Sequence, residues 1–260
     1  MSLNDIVQHH ALHANASNTV EFEVSGKYGL FTDPITKLGG EKFSYQVPTH
    51  SALRGIMWSI YDKPTLSWYI DAVRIMNPIV LESKSILVPQ YATGKKDLSY
   101  YCYLRNCRYQ VRAHFEWNMN RPELTQDRIE KKHHAIALRA IKKGGYRDVF
   151  LGTRECHADV EPCVFGEGVG AYDNVPEMHL GMMLYGFTYA DEAYSPETQN
   201  KLTEHLWSPV MRHGVIEFPR PEECLIHRTL RSDSPTVFCK GKNFSGVDEM
   251  EGFDWESSMI

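Results

Sequence analysis

The sequence lacks the segments that define membrane, secreted and disulfide-rich proteins. No stretch of the 260 residues approaches the roughly 20 consecutive apolar residues of a membrane helix, and the first seventeen residues contain no apolar core of a signal peptide. None of the six cysteines forms a C-x-x-C pair, so we interpret them as reduced thiols. With 42% hydrophobic and 23% charged residues, the composition excludes collagen-like, fully disordered and coiled-coil chains. We therefore expect a globular cytoplasmic protein with no membrane partner.

Motifs of common nucleotide-dependent and hydrolytic enzymes are also missing. The chain has no Walker loop, no G-x-S-x-G and no H-E-x-x-H, so NTPase, serine hydrolase and zinc protease functions have no motif support. A G-x-G-x-G run at residues 166–170 lacks a following amphipathic helix and is interpreted as a hairpin loop. The C-x6-C interval between Cys156 and Cys163 matches no common zinc module. We expect no metal site.

Positive charge is concentrated in one part of the chain. The formal net charge is -5, but residues 243–260 carry five acidic residues and no basic one, so the rest of the chain is balanced. Residues 105–147 carry eleven lysines and arginines against four acidic residues. Such a basic region is typical of a phosphate-binding face, and a solvated helix face is the alternative.

Hydrophobic periodicity predicts a first strand and a first helix. Val20, Phe22 and Val24 alternate with polar residues, which predicts a half-buried strand that ends at Gly26. Apolar residues then recur at helical spacing behind Thr49, a plausible N-cap, until the Asp-Lys-Pro sequence at residues 62–64.

Two further strands are predicted over residues 66–76 and 100–117. In the second, apolar and polar residues alternate. The apolar face consists of Tyr109, Val111, Ala113, Phe115 and Trp117. The polar face consists of Arg108, Gln110, Arg112, His114 and Glu116. We expect the first face to lie in the core and the second to be wet and basic.

A second helix and a fourth strand complete the first predicted domain. Asp127 and Glu130 resemble a capping box, the helix is predicted to end before residues 144–145, which are both glycine, and residues 146–156 predict a strand. The order β-α-β-β-α-β predicts an α+β fold with the ferredoxin-like arrangement of RNA-recognition modules, followed by a smaller β-rich subdomain. The predicted segments are a flexible arm (1–18), the ferredoxin-like domain (19–156), the β-rich subdomain (157–242) and an acidic tail (243–260).

The second helix contains the strongest chemical signal. His133 falls on its apolar stripe, and Lys132 lies at the edge of that stripe in line with Arg128 and Arg139. An imidazole beside an ammonium group can exchange protons and stabilise an anion near neutral pH. The alternative is a core histidine satisfied by a carbonyl group. Tyr61, at the end of the first helix, could hydrogen-bond to a ribose hydroxyl, but spacing cannot show that it reaches the second helix.

Three segments together resemble a known family. They are VEFEVSGKYGLFTDPITKLGGEKFSYQVPTHSALRGIMWSIYDKP, YQVRAHFEWNMNRPELTQDRIEKKHH and GGYRDVFLGTRECHADVEPC. They are similar to the Cas-five family subunit of type I-C CRISPR systems, over about residues 19–225. The resemblance implies an endoribonuclease that cuts precursor CRISPR RNA in each repeat hairpin without a metal or other cofactor. It also implies that the protein stays on the 5′ handle of the mature crRNA within the Cascade complex, beside the backbone and large subunits.

The resemblance also implies which residues act. The catalytic lysine and histidine of the family match Lys132 and His133, and the tyrosine of its S-I-Y-x-K-P motif matches Tyr61. His134 and Tyr45 are alternative participants. Because attack by the ribose 2′-hydroxyl needs only a base, an acid and positive charge, the expected products are a 2′,3′-cyclic phosphate and a 5′-hydroxyl. The RNA-binding residues expected from the basic region are Arg108, Arg112, Arg128, Lys131 and Arg139.

Two other functions compete with this one. The first is a non-catalytic scaffold that grips the 5′ handle of a processed crRNA. The second is a metabolic β-rich enzyme with an incidental basic helix, which predicts no affinity for structured RNA.

Overall fold

A computed structural model describes most of the chain. The described residues are 18–34, 36, 41–90, 94–234, 238–239 and 241–244. Of the predicted arm they include only residue 18, and of the predicted acidic tail only residues 243 and 244. Within the described ranges, no helix is long and apolar enough to cross a membrane.

The described residues form two α-helices and thirteen strands. The helices are α1 (His50–Ile60) and α2 (Glu130–Lys142). The strands are β1 (Thr19–Gly29), β2 (Lys42–Phe43), β3 (Leu66–Ile75), β4 (Leu81–Pro89), β5 (Lys96–Trp117), β6 (Val149–Phe150), β7 (His157–Pro162), β8 (Met178–His179), β9 (Met183–Thr188), β10 (Lys201–Trp207), β11 (Val210–Arg212), β12 (Val215–Glu217) and β13 (Ile226–Ser232).

Most strands belong to one sheet, which is mostly antiparallel. It contains ten of the described strands. Eight pair in the order β6-β7-β1-β5-β3-β12-β11-β8, and the other two, β2 and β4, pair with β5. Strands β13, β10 and β9 form a second sheet. The fold is thus mixed, with a mostly antiparallel sheet and few helices. The main sheet crosses the predicted domain boundary at residue 157, because β7 pairs with β1 and β12 pairs with β3; the division itself stays a prediction.

The first strand and helix form where the sequence predicts them. Val20, Phe22 and Val24 are buried, and the Thr49 side chain accepts a hydrogen bond from the amide of the third residue of α1. The predicted strand end at Gly26 is wrong, since β1 continues to Gly29. Gly26 lies inside the strand and serves its packing. A Cβ there would lie 2.9 Å from the His157 carbonyl oxygen of the neighbouring strand, so a side chain would not fit.

The long strand β5 is paired with a strand that the sequence pattern does not reveal. Strand β5 begins at Lys96, four residues before the predicted start, and forms a hairpin with β4. The side chains of β4 alternate between exposed and half-buried, and several are serine, lysine or glutamate. Without a buried apolar face, β4 has no period-2 hydrophobic signal.

The start of α2 and the fourth predicted strand differ from expectation. The N-cap of α2 is Ile129, with no side-chain cap, so the predicted capping box is wrong; Asp127 ends a 3-10 helix instead. Two glycines at positive φ follow α2, as predicted. Of the predicted strand at residues 146–156, only β6 forms, because Gly152 turns the chain at φ 92°. A Cβ at Gly152 would lie 2.1 Å from the Leu30 carbonyl oxygen, so the turn requires glycine. The next strand, β7, pairs with β1, and β6 joins the sheet through β7.

Candidate active site

Two side chains that the sequence places in separate motifs meet in the structure. The Tyr61 hydroxyl lies 2.7 Å from Nδ1 of His133, although the residues are 72 positions apart. Tyr61 follows the last residue of α1 in extended conformation, and its carbonyl oxygen accepts a hydrogen bond from the Trp68 indole. His133 lies in the first turns of α2. The end of one helix and the start of the other thus bring the phenol and the imidazole together.

The hydrogen bonds of His133 define its tautomer. Its Nε2 lies 2.6 Å from the carbonyl oxygen of Asp127, and a carbonyl oxygen can only accept. Nε2 therefore donates, and in the neutral ring Nδ1 accepts the hydrogen bond of the Tyr61 hydroxyl. The sequence left open that His133 is a core histidine satisfied by a carbonyl group. That description applies to Nε2, whereas Nδ1 faces the Tyr61 phenol.

The surroundings keep both groups neutral. His133 is fully buried, and Tyr61 is 3% exposed. Burial lowers the pKa of His133; contact with Asp127 opposes this, and the charges of Lys63 and Lys132 add to the lowering. Burial also raises the pKa of Tyr61 above its ordinary range. At neutral pH the pair is therefore a neutral phenol donating to a neutral imidazole.

A buried carboxylate and a hydroxyl extend this pair. Oδ2 of Asp127 lies 3.7 Å from Nε2 of His133 and accepts a 2.6 Å hydrogen bond from the Thr65 hydroxyl. Both Asp127 and Thr65 are buried. Sequence reasoning missed these contacts because it assigned Asp127 to a local helix cap, and nothing in the spacing connects it to Thr65.

Two lysines flank the pair. Lys132 is half-buried at the start of α2, and Lys63 is half-buried two residues beyond Tyr61. Both charges act on His133. Sequence reasoning missed Lys63, although it belongs to the same S-I-Y-x-K-P motif as Tyr61.

The polar face of β5 is not the wet, basic surface that the alternation predicts. Arg108 pairs with Glu23 at 2.7 Å, and Arg112 pairs with Glu21 at 2.8 Å. The Arg112 guanidinium is buried and stacks on the Phe165 ring at 4.6 Å. The prediction of a wet, basic face is wrong because β1 supplies carboxylates to this face and the segment around Phe165 covers part of it.

Further along the same face, His114 is held by carboxylates. Its Nδ1 lies 2.7 Å from Asp71 Oδ1 and its Nε2 lies 3.5 Å from Glu116. Burial lowers the pKa of His114, but these contacts outweigh it and raise the pKa to about 9. Arg220 pairs with Glu116 and lies over the Tyr69 ring. Positive charges here are again matched by negative ones.

The remaining basic residues expected to bind RNA divide into two groups. Arg128 donates to the carbonyl oxygens of Asn118 and Arg121, so its guanidinium stabilises the turn before α2. Exposed cations on α2 and directly after it form a surface that we call the α2 basic strip. The strip consists of Lys131, Arg139, Lys142 and Lys143. It ends at an open cleft of about 770 Å³ that Tyr146 and Arg147 also line.

The two alternative participants form hydrogen bonds elsewhere. His134 lies 2.8 Å from the Thr19 carbonyl oxygen on β1. The Tyr45 hydroxyl donates to Asp33 and accepts from the Leu184 amide, each at 3.3 Å. Neither contact belongs to the Tyr61–His133 pair.

Comparisons with known proteins identify similar chains. The family model Cas_Cas5d, described as "CRISPR-associated protein (Cas_Cas5)", matches residues 19–219. A "CRISPR pre-crRNA endoribonuclease Cas5d" of Thermus thermophilus is 28% identical over 188 residues, which are 68% of this chain and 77% of that protein. A protein of the same description from Mannheimia succiniciproducens is 40% identical over 67 residues, 26% of this chain and only 29% of that protein.

Two solved structures are similar over most of the chain. The crystal structure of a CRISPR-associated protein has a TM-score of 0.65 at 35% identity and covers 81% of this chain and 96% of its own. A functionally uncharacterized protein from Streptococcus mutans has a TM-score of 0.63 at 37% identity and covers 81% and 97%.

Proposed function

The chain belongs to the Cas_Cas5d family of CRISPR-associated proteins, and from this we propose that it is an endoribonuclease that cuts precursor CRISPR RNA in the repeat. The observation that carries the proposal is the 2.7 Å contact between Tyr61 and His133. Relatives described as pre-crRNA endoribonucleases support the same activity.

We propose that Tyr61 and His133 together serve as the base. The RNA 2′-hydroxyl gives its proton to the Tyr61 oxygen while the Tyr61 proton moves to Nδ1 of His133. The 2′-oxygen forms a bond to the adjacent phosphorus, the bond from phosphorus to the 5′-oxygen breaks, and the leaving oxygen takes a proton from water. The products are a 2′,3′-cyclic phosphate and a 5′-hydroxyl. Tyr61 is the group that meets RNA, because His133 has no exposed surface.

Positive charge next to the pair supports the same reaction. The attacked phosphate gains charge in the transition state, and an ammonium group in a partly buried site stabilises that charge. We assign this role to Lys132, with Lys63 as a second cation on the Tyr61 side. Because the RNA supplies its own nucleophile, we propose that the cut needs neither a metal ion nor another cofactor.

The α2 basic strip is the RNA-binding surface that we propose in place of the β5 face. Its cations are exposed, so phosphate groups of an RNA can approach them directly. We further propose that the protein keeps the 5′ handle of the crRNA after cutting and acts as a Cascade subunit beside the backbone and large subunits.

The RNA-binding unit is, in this proposal, ferredoxin-like. The order β7-β1-β5-β3, with antiparallel neighbours and with α1 and α2 in the connections, supports that arrangement.

The proposal is tested by incubating the protein in EDTA with a short repeat hairpin RNA. A matched RNA carries one 2′-deoxy substitution at the cleaved nucleotide. We expect a single cut in the first RNA and none in the second. Cleavage of the deoxy RNA would contradict attack by the 2′-hydroxyl, and cleavage that depends on added Mg²⁺ would contradict the proposal that no metal ion is needed.

One observation favours the scaffold function as a second candidate. Tyr61 is only 3% exposed and His133 has no exposed surface, and such burial is also expected of a pair that supports the fold. The scaffold predicts that the repeat RNA is bound with high affinity and never cut.

A further inference from the structure

We propose that Asp127 is a positioning residue for His133, and that Thr65 holds the Asp127 carboxylate in place. The inference rests on the proposed function and deepens it. Asp127 determines which ring nitrogen faces Tyr61, and it stabilises the positive charge that His133 acquires when it accepts a proton.

The backbone of Asp127 selects the tautomer. Its carbonyl oxygen accepts the Nε2 hydrogen of His133 at 2.6 Å, and the same oxygen accepts the Ile129 amide at 2.9 Å. These bonds fix the carbonyl at the junction between the 3-10 helix and α2. In the other tautomer, the lone pair of Nε2 would face this oxygen, and Nδ1 would lose its role as acceptor for Tyr61.

The side chain of Asp127 provides the charge. Its Oδ2 lies 3.7 Å from Nε2, and the carboxylate is almost completely buried. At this distance and burial, a carboxylate favours the imidazolium form more strongly than it would in water. The arrangement matches the role of an aspartate behind a catalytic histidine, which orients the ring and stabilises its cation.

Thr65 determines where the carboxylate points. Its hydroxyl donates to Oδ2 of Asp127 at 2.6 Å. Thr65 itself is fully buried, and its carbonyl oxygen accepts the Asn118 amide at 2.9 Å. The carboxylate is therefore anchored to the start of β3, and this contact links the loop after Tyr61 to the turn before His133.

A helix-capping role does not account for the Asp127 carboxylate. The N-cap of α2 is Ile129, whose side chain makes no capping hydrogen bond, and Asp127 lies two residues before it. The titratable groups that act on His133 are Tyr61 and Lys63 from the α1 side, Lys132 on α2, and Asp127. Asp127 is the negative charge of this set, so its removal leaves His133 facing two cations.

The first test is Asp127→Asn, which keeps the backbone carbonyl and an acceptor for Thr65 but removes the charge. We expect single-turnover cleavage of the repeat RNA to fall about 10- to 100-fold. The base must be neutral to act, and without the carboxylate the pKa of His133 falls. The acidic limb of the rate–pH profile therefore moves to lower pH.

A matched control separates the effect of the Asp127 charge on His133 from a general loss of stability. Asp173→Asn removes another partly buried carboxylate, which accepts two 2.9 Å hydrogen bonds from Arg74. We expect it to lower the melting temperature and to leave the acidic limb unchanged. Asp127→Asn with an unshifted limb, and a rate loss that follows its loss of stability, would overturn the proposal.

Two further readouts do not depend on that variant. Thr65→Ser keeps the hydroxyl and is expected to preserve the rate–pH profile, whereas Thr65→Val is expected to reduce the rate. ¹⁵N NMR of the wild-type imidazole is expected to show hydrogen on Nε2, and hydrogen on Nδ1 would overturn the proposal. Because the NMR measurement needs no cleavage, it separates failure of this inference from failure of the proposed function.

Discussion

Two histidines, one on β5 and one on α2, are held in opposite protonation states by their neighbours. His114 lies between Asp71 and Glu116, and its pKa is raised to about 9. His133 lies against the edges of the Trp117 and Phe115 rings, and its pKa is lowered. At neutral pH the first imidazole is charged and the second is neutral. Only the second can accept a proton, so the neighbours decide which histidine is a usable base.

The basic surfaces near the two histidines also differ. The polar face of β5 carries Arg108, Arg112 and His114, but β1 places Glu21 directly opposite Arg112 in the ladder. In the α2 basic strip, residues 131–143 contain no acidic residue; Glu130 begins the helix, and Asp159 and Glu161 line the cleft at the other end of the strip. Exposure of the cations, rather than a high local count, indicates the surface for RNA.

The largest expected effect separates the two histidines in catalysis. His133→Ala should reduce single-turnover cleavage of the repeat RNA by about 100-fold or more while repeat binding is retained. His114→Ala, the matched control, should change the rate by less than about threefold, because that imidazole is already charged. Cleavage by His133→Ala at the wild-type rate would break the comparison.

The second prediction concerns titration of the same two rings. NMR should show His114 titrating near pH 9 and His133 below its ordinary value of about 6.5. Asp71→Asn should lower the pKa of His114 and leave that of His133 unchanged. Equal pKa values for the two rings would mean that their environments do not differ as described.

The third prediction contrasts the two basic surfaces in RNA binding. The double variant Lys131→Gln/Arg139→Gln should weaken repeat RNA binding and reduce the slope of log affinity against log salt by about 2, for two lost phosphate contacts. The double variant Arg108→Gln/Arg112→Gln should leave that slope unchanged. The reverse result would place the RNA on the β5 face.

The smallest expected effect is on stability. The folded-state pKa of His114, about 9, lies above its ordinary value, so its ion pairs stabilise the fold fully below about pH 6.5 and lose this contribution as the pH rises towards 9. His114→Gln should lower the free energy of unfolding by about 1–2 kcal/mol at pH 6, since the pair is partly exposed. Urea unfolding at pH 6 and pH 9.5 checks this, and an equal loss at both values would contradict the ion-pair account.

Local patterns predicted much of the fold because they depend on neighbours in sequence. Strand β1, the Thr49 cap of α1 and the glycine end of α2 follow from period and cap chemistry. Strand β4 was missed because it lacks a buried face. The end of β1 at Gly26 was wrong because that glycine serves the packing of a distant strand.

In the candidate site, too, the residues could be predicted from sequence but their contacts could not. Helix spacing indicates Lys132 and His133, and the family resemblance adds their catalytic roles and that of Tyr61. Spacing alone shows no contact between Tyr61 and His133. The contacts of Asp127 with Thr65 and of Arg112 with Glu21 join segments far apart in sequence. Such contacts exist only after the chain folds, and they decide whether a side chain is catalytic, structural or neutralised.

The central claim is that Tyr61 and His133 activate the RNA's own 2′-hydroxyl, and the ends of the cleaved RNA test it most directly. Mass spectrometry of the two fragments of a repeat RNA cut in EDTA should show a 2′,3′-cyclic phosphate on the upstream fragment and a 5′-hydroxyl on the downstream one. A 3′-hydroxyl with a 5′-phosphate would contradict the account, because it would mean that water attacked the phosphate.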